Sequence, residues 1–282
     1  MPRTCVFFHA HRGDEALLTA GTMARLAAEG HRVVLVLAAT GREPSCLDPR
    51  PRAPVRADVP DAPAGMLGCA RVVVLGYEDS GPDGEALGGF SRTNVDLAAG
   101  VLAGVLREED ADLLTVYDPG GGYGHPDHVH VHRVGVRAAE LAGTPVVLEA
   151  TLDRDFLRRA LRFLGPFLRS WAAPRTAYSS RADITHRVRV GAYSSMKRAA
   201  MAAHSGHRAG GDPACASAAL PRLPRLLFRQ VMGTEWFVRR DLPPGTVLDH
   251  PLAMWPDTAP PPEQGRRPAR HPTTEPRISV KK

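Results

Sequence analysis

Along the first half of the chain, short apolar runs alternate with longer stretches whose apolar residues recur every three or four positions. TCVFFHA reads as a buried strand; EALLTAGTMARLAAEG then sets Leu17, Met23, Leu26 and Ala27 at helical spacing ahead of Gly30, a helix stop. RVVLVLAAT is a second buried strand. Strand, helix and strand in this order form a βαβ unit, which requires a parallel sheet and a right-handed crossover. The alternation continues with RVVVLGYEDSG as a third strand and turn, NVDLAAGVLAGVLREED as a helix, DLLTVYD as a fourth strand, DHVHVHRVGVRAAELAG as a helix and PVVLEAT as a fifth strand. The fold class expected is α/β, a doubly wound, mainly parallel sheet with helices on both faces.

After PVVLEAT the rhythm changes. DRDFLRRALRFLGPFLRSWA has helical spacing, THRVRVG reads as a strand, AYSSMKRAAMAAHSG as a helix and VMGTEWFVRRD as a closing strand, together a C-terminal elaboration of the same unit. Two stretches lack periodicity. Residues 41–66, rich in proline and charge, are expected to run as a long surface loop, and residues 255–282 as a disordered or surface-draped tail. Residues 1–254 are then expected to form one domain.

With 282 residues, 43% of them apolar, the chain can bury a sizeable core. A net charge of +6 raises nucleic acid as a partner. The arginines concentrate, however, in LDRDFLRRALRFL and RLPRLLFRQ, spaced like the solvated face of an amphipathic helix, and in the tail; no nucleic-acid motif accompanies them. A small-molecule substrate is the expected partner, and the oligomeric state is not legible. Cys5, Cys46, Cys69 and Cys215 show no C-x-x-C spacing, so no disulfide framework or thiolate zinc knuckle is indicated and a reducing cytoplasm fits. MPRTCVFFHAHRGDE breaks its apolar run too early for a signal peptide, and no run of about 18 apolar residues suggests a membrane span.

In open sheets of this kind the reactive crevice lies at the carboxyl ends of the strands. Two such ends carry chemistry: His11 and Asp14 after the first strand, and YDPGGGYGHPDHVH, residues 117–130, after the fourth. His128 is expected to meet His11 and Asp14 across the crevice. Two imidazoles and a carboxylate with open positions suit a catalytic zinc, and the same set suits iron(II). Structural roles stand beside these: Asp127 as a helix N-cap, His130 and His132 as helix-face residues, His9 as a satisfied core histidine. His204 either reaches the crevice or caps a helix.

The stretches HAHRGDEALLTAGTMARLAAEGHRVVLVLAATGRE, LGYEDSG, YDPGGGYGHPDHVHVHRV, MKRAAMAAHSGH and VMGTEWFVRR together resemble the LmbE/PIG-L-like zinc N-deacetylase family, with its Rossmann-like fold. The resemblance is closest to the mycothiol branch, deacetylases and S-conjugate amidases acting on glucosaminyl-inositol thiols. It implies zinc ligands at His11, Asp14 and His128. It also implies that His125 stabilises the tetrahedral intermediate and assists the leaving amine, that Asp127 tunes His125, and that Tyr123 polarises the substrate carbonyl. Asp79 and Ser80 would line a sugar site, although D-S-G is also an ordinary turn.

One position departs from that family. Its opening motif is normally His-Pro-Asp-Asp-Glu, with the first aspartate as general base; here it reads His11-Arg12-Gly13-Asp14-Glu15. Glycine accepts no proton, and loss of a positioned base typically costs about 10²- to 10⁴-fold. The implied activity is hydrolysis of an amide on an amino-sugar or thiol conjugate, with Glu15, His125 or the substrate replacing the base. The alternatives are non-hydrolytic conversion of such a conjugate in secondary metabolism and a catalytically silent metal-binding protein. Arg12 either points outward into solvent or clamps a substrate anion.

Overall fold

The computed structural model describes residues 1–39, 56–58, 61–164, 177–204, 219–243 and 245–255. Among the described residues there are eight strands: β1 (Thr4–His9), β2 (Arg32–Ala39), β3 (Ala57–Asp58), β4 (Arg71–Tyr77), β5 (Leu113–Tyr117), β6 (Val146–Thr151), β7 (His186–Arg189) and β8 (Thr234–Val238). The helices are α1 (Asp14–Leu18), α2 (Ala20–Ala28), α3 (Ala62–Met66), α4 (Val95–Glu108), α5 (Pro126–Ala142), α6 (Arg154–Leu164), α7 (Ser194–His204) and α8 (Arg225–Met232).

All eight strands form one sheet in the order β3-β4-β2-β1-β5-β6-β8-β7. The pairings among β4, β2, β1, β5 and β6 are parallel, and β3, β8 and β7 add antiparallel edges. The chain winds outward from β1 through β2 to β4, returns to lay β5 against β1 and winds the other way to β6. The direction therefore reverses between β1 and β5, the crevice where doubly wound sheets bind ligands.

The central strands are apolar because both faces are covered. Val6, Phe7 and Phe8 of β1 and Leu113 and Leu114 of β5 are fully buried; truncating such a phenylalanine to alanine costs about 3–5 kcal/mol. Two helical groups flank the sheet, α4 with α5, and α1, α2 and α3 with α7. α5 lies close on β5 because residue 135 is glycine: a Cβ there would run into Val116. That approach seats the first turn of α5 over the end of β5.

Three local expectations change. Residues 14–28 form two helices, not one, broken at Thr19 (φ −133°, ψ −6°). The Glu235 carboxylate of β8 takes the N–H groups of Gly21 and Thr22 at 2.8 and 2.7 Å, a cap supplied from the far end of the chain. Within residues 41–66, expected as loop throughout, β3 pairs with β4 and α3 is capped by Asp61; residues 40–55 lie outside the described residues. The N-cap of α5 is His125, not Asp127. The tail from residue 256 and the continuation of α6 beyond residue 164 also fall outside the described residues, while Trp255 packs under the Arg3 guanidinium, 4.0 Å away. Among the described residues no helix is long and apolar enough to cross a membrane.

Candidate functional site

β1 ends at His9, and the chain turns through residues 10–13 before α1 begins at Asp14. The Asp14 carboxylate folds back over that turn, with Oδ2 accepting the His11 N–H at 2.9 Å and the Tyr117 hydroxyl at 3.0 Å. Two ring nitrogens converge on the same oxygen: His11 Nδ1 and His128 Nε2 each lie 3.3 Å from Asp14 Oδ2. A tetrahedral ion with ligands at about 2.0–2.1 Å has ligand–ligand edges of about 3.3 Å, and these two spacings match two such edges. His128 Nε2 is buried without an aligned hydrogen-bond partner, as a nitrogen reserved for an ion would be.

Other donors crowd the same space. One ring nitrogen each from His11, His125 and His128 falls within 4.8 Å of the others, and His11, Asp79 and Asp127 form a second group of this kind. The Asp127 carboxylate has partners of its own besides His11. Its Oδ2 meets His11 Nε2 and the Ser80 N–H, both at 3.0 Å, and its Oδ1 accepts the Ser80 hydroxyl and the Ser91 N–H. A carboxylate on the outer nitrogen of a ligating histidine fixes the ring and raises its basicity.

Electrostatics agree with a cation site. Burial alone would lower the His11 imidazole, but Asp127, Asp14 and Asp79 outweigh it and hold the group well above the ordinary histidine range. Burial likewise opposes ionisation of Asp14, yet His128 and His11 keep it well below the carboxylate range. Carboxylates that favour a proton on His11 favour any positive charge held there.

Behind Asp14 a buried relay holds the carboxylate in place. The Tyr117 hydroxyl receives the Ala10 N–H at 3.3 Å, donates to Asp14 and lies 3.1 Å from His9 Nδ1, while His9 Nε2 meets the Thr19 hydroxyl at 2.9 Å. Burial pushes the His9 imidazole down to about 4, so it is neutral at pH 7, a satisfied core histidine. The Tyr117 ring also stacks on His128, with centroids 4.2 Å apart and planes 8° from parallel. Tyr117 thus holds two of the converging residues at once.

The opposite wall is the glycine-rich loop. Asp118 accepts the Gly122 N–H at 2.9 Å and the Thr151 hydroxyl at 2.6 Å, tying the loop to β6. Tyr123 stands half-buried with its ring 5.2 Å from that of His128 and 6.2 Å from that of His125. His125 Nδ1 accepts the Asp127 N–H at 3.2 Å, so the neutral ring carries its proton on Nε2. Burial, then His128 and His11, lower this imidazole to about 4. At neutral pH it is a hydrogen-bond donor.

Gly13 has a left-handed backbone, φ +92°. Its N–H donates to Glu15 Oε2 at 2.8 Å. The space beside it is filled: a Cβ at residue 13 would sit 3.1 Å from His204 Cγ and 3.2 Å from His204 Cβ. His204 Nε2 lies 2.8 Å from Oε1 of Glu15, whose side chain is only 2% exposed.

The structure therefore brings His11, Asp14, His128, His125, Tyr123, Asp127 and Asp79 to one cleft. Asp79 is one-third exposed, with Oδ1 3.4 Å from His11 Nε2, and its carboxyl is held at about 2. Ser80, expected to line a sugar site, is buried and gives its hydroxyl to Asp127. The Arg12 side chain is 39% exposed, and its guanidinium pairs with Asp61, the cap of α3. The Asp127 carboxylate binds His11 and reaches His125 only through space. His132 Nδ1 bonds the Tyr117 carbonyl at 3.0 Å and His130 Nε2 the Thr93 hydroxyl at 3.1 Å, as helix-face residues do. Sequence reasoning passed over Tyr117, Thr19, Ser91 and Asp61. Only Tyr117 left a signal, a phenol at a strand's carboxyl end whose hydroxyl needed a partner.

A model of the family described as PIG-L: GlcNAc-PI de-N-acetylase matches residues 6–139. A 1D-myo-inositol 2-acetamido-2-deoxy-alpha-D-glucopyranoside deacetylase of Streptomyces avermitilis is 42% identical over 161 residues, 51% of this chain and 55% of that protein. The match thus spans about half the length of that relative. The enzyme of the same name from Streptomyces griseus is 36% identical over 239 residues, covering 72% of this chain and 74% of its own. Among solved structures, a conserved protein from Thermus thermophilus superposes with a TM-score of 0.53 at 18% identity, over 85% of this chain and 95% of that one. Fold, order of motifs and identity over most of a relative's length agree: the chain belongs to the PIG-L family of de-N-acetylases.

Proposed function

We propose that the protein is a metal-dependent hydrolase that removes an acyl group from the nitrogen of an amino-sugar conjugate, with zinc held by His11, Asp14 and His128. The observation that carries this reading is the convergence of His11 Nδ1 and His128 Nε2 on Asp14 Oδ2 at 3.3 Å each. The relatives named above are deacetylases of an N-acetylglucosaminyl-inositol, and that compound class is the substrate proposed. Iron(II) fits the same donors and is the second ion to try.

A divalent ion in this cradle supplies a Lewis acid for the amide carbonyl and lowers the pKa of water to about 7. The remaining work belongs to side chains. Asp127 and Tyr117 hold His11 and Asp14 in place. His125, its Nδ1 occupied by the helix backbone, presents Nε2–H to the oxygen on which charge develops, and the Tyr123 hydroxyl polarises the same carbonyl. Water's oxygen joins the carbonyl carbon, the C–N bond breaks and the amine leaves protonated.

The test is release of acetate from 1D-myo-inositol 2-acetamido-2-deoxy-alpha-D-glucopyranoside by protein of measured metal content, beside His128→Ala. Stoichiometric zinc, acetate release and loss of both in the variant are expected. Protein that takes up no zinc, or that binds it and cleaves no N-acyl amino sugar, overturns the proposal. The second outcome would favour a silent metal-binding protein or one converting thiol conjugates without hydrolysis, the readings that Gly13 motivates.

A further inference from the structure

Resting on the hydrolase reading, we infer that Tyr178 is a positioning residue, the stop behind the glycine-rich loop that fixes how Tyr123 meets the substrate carbonyl. Tyr123 polarises that oxygen effectively only if the backbone beneath it is already in place, because a contribution of this kind depends on preorganised donors. The residues before it, Gly120, Gly121 and Gly122, are those with the most backbone freedom. That freedom has to be removed from outside the loop.

Gly122, which directly precedes Tyr123, is held at both of its polar groups. Its N–H donates to Asp118 Oδ1 at 2.9 Å, and its carbonyl accepts the Tyr178 N–H at 2.8 Å. The Tyr178 ring closes a third side: a Cβ at residue 122 would stand 2.9 Å from Tyr178 Cε1, so glycine is what fits against the ring. With N–H, carbonyl and α carbon all held, the direction in which the chain enters Tyr123 is set.

Tyr178 is braced in turn. It is 4% exposed and has left-handed backbone, φ +62°, which a bulky residue keeps only where its surroundings over-determine it. Those surroundings are the Arg154 guanidinium, whose Nε donates to the Ala177 and Tyr178 carbonyls at 3.1 Å each, and the Thr151 hydroxyl, which accepts the Ser179 N–H at 2.9 Å and donates to Asp118 Oδ2 at 2.6 Å. Asp118 and the Tyr178 segment are thus joined twice, across Gly122 and through Thr151. The closed circuit ties the loop to the end of β6 and the start of α6.

The brace and the reaction can be read separately. In the metal-free protein, amide hydrogen exchange at Gly122, followed in 1H–15N spectra, should speed up about tenfold or more in Tyr178→Gly and stay slow in Tyr178→Phe, which keeps the ring. Equal exchange in wild type and Tyr178→Gly overturns the proposal whatever the activity. In the zinc-loaded enzyme, Tyr178→Gly, which suits the left-handed backbone, should lower kcat about 10- to 10²-fold with KM and zinc content nearly unchanged, while Tyr178→Phe keeps most of the rate. In a Tyr123→Phe background Tyr178→Gly should lower kcat no further; a full additional loss there shows the ring acting by another route and overturns the proposal. Should Tyr178→Gly not fold, Thr151→Val, which opens the same circuit between Asp118 and Ser179, carries both measurements with the same expectations. A zinc-loaded wild type that cleaves no amide overturns the hydrolase reading and the role of Tyr178 together, whereas wild-type kcat in folded Tyr178→Gly overturns the role of Tyr178 alone.

Discussion

Replacing Gly13 by alanine tests why the turn between His11 and Asp14 is built as it is. A Cβ in the left-handed region costs about 1–2 kcal/mol, and Gly13 sits there at φ +92°. The added carbon would also stand 3.1 and 3.2 Å from His204 Cγ and Cβ, so the ring or α7 must give by a few tenths of an ångström. Overpacking of that kind adds about 1–3 kcal/mol. Gly13→Ala should therefore lose about 2–5 kcal/mol in urea unfolding and roughly 4–20 °C in Tm. The two contributions separate in a double-mutant cycle. In a His204→Gly background the conformational cost persists while both contacting carbons are gone, leaving a coupling of about 1–3 kcal/mol. An unchanged Tm in the single variant would refute the backbone argument, and strict additivity would refute the packing of His204 on Gly13.

Other perturbations give distinct expectations. Tyr117→Phe should keep the His128 stack but free one lone pair of Asp14 and orphan the Ala10 N–H, weakening zinc about 10- to 100-fold in a chelator competition; unaltered affinity would show that the relay does not hold the ligand. Glu235→Gln leaves the Lys197 ammonium, 2.6 Å from the carboxylate and fully buried, without its counter-charge and should cost about 3–5 kcal/mol in denaturant unfolding. His186 is buried in β7, and burial, then Arg239, lower it from 6.5 to about 4. The unfolded chain therefore binds the extra proton first, and stability should fall as pH drops from about 6.5 toward 4, by roughly 3 kcal/mol in all. His186→Leu should flatten that part of the stability curve, and an unchanged curve would assign the pH dependence to other groups.

The parallel core was legible because its strands are buried on both faces and read as unbroken apolar runs, and because the helices between them keep their period. The meeting of His11 and Asp14 with His128 followed from topology, since both motifs stand where strands end beside the reversal in winding. The supporting groups were hidden for physical reasons. Tyr117 closes an apolar run and looks like core until its hydroxyl is seen to have three neighbours. The break at Thr19 depends on a carboxylate 214 positions away from Gly21, which no local pattern encodes. Asp61 lies in a proline-rich stretch without periodicity, so neither its cap nor its pairing with Arg12 had a local signature. Gly13 read as a missing side chain; it proves to be the space that a residue on α7 occupies.

The Glu235 cap carries a consequence for how the protein is made. Its oxygens complete the start of α2, the helix that follows α1 and the turn bearing His11 and Asp14, and they leave the ribosome more than two hundred residues after it. The nascent chain displays His11 and Asp14 early, but their support cannot set until β8 has been translated and inserted beside β6. On the proposed metal-site reading, metal capture should accordingly be a late event in biosynthesis, and a stalled or shortened chain would hold His11 and Asp14 without the support that sets them.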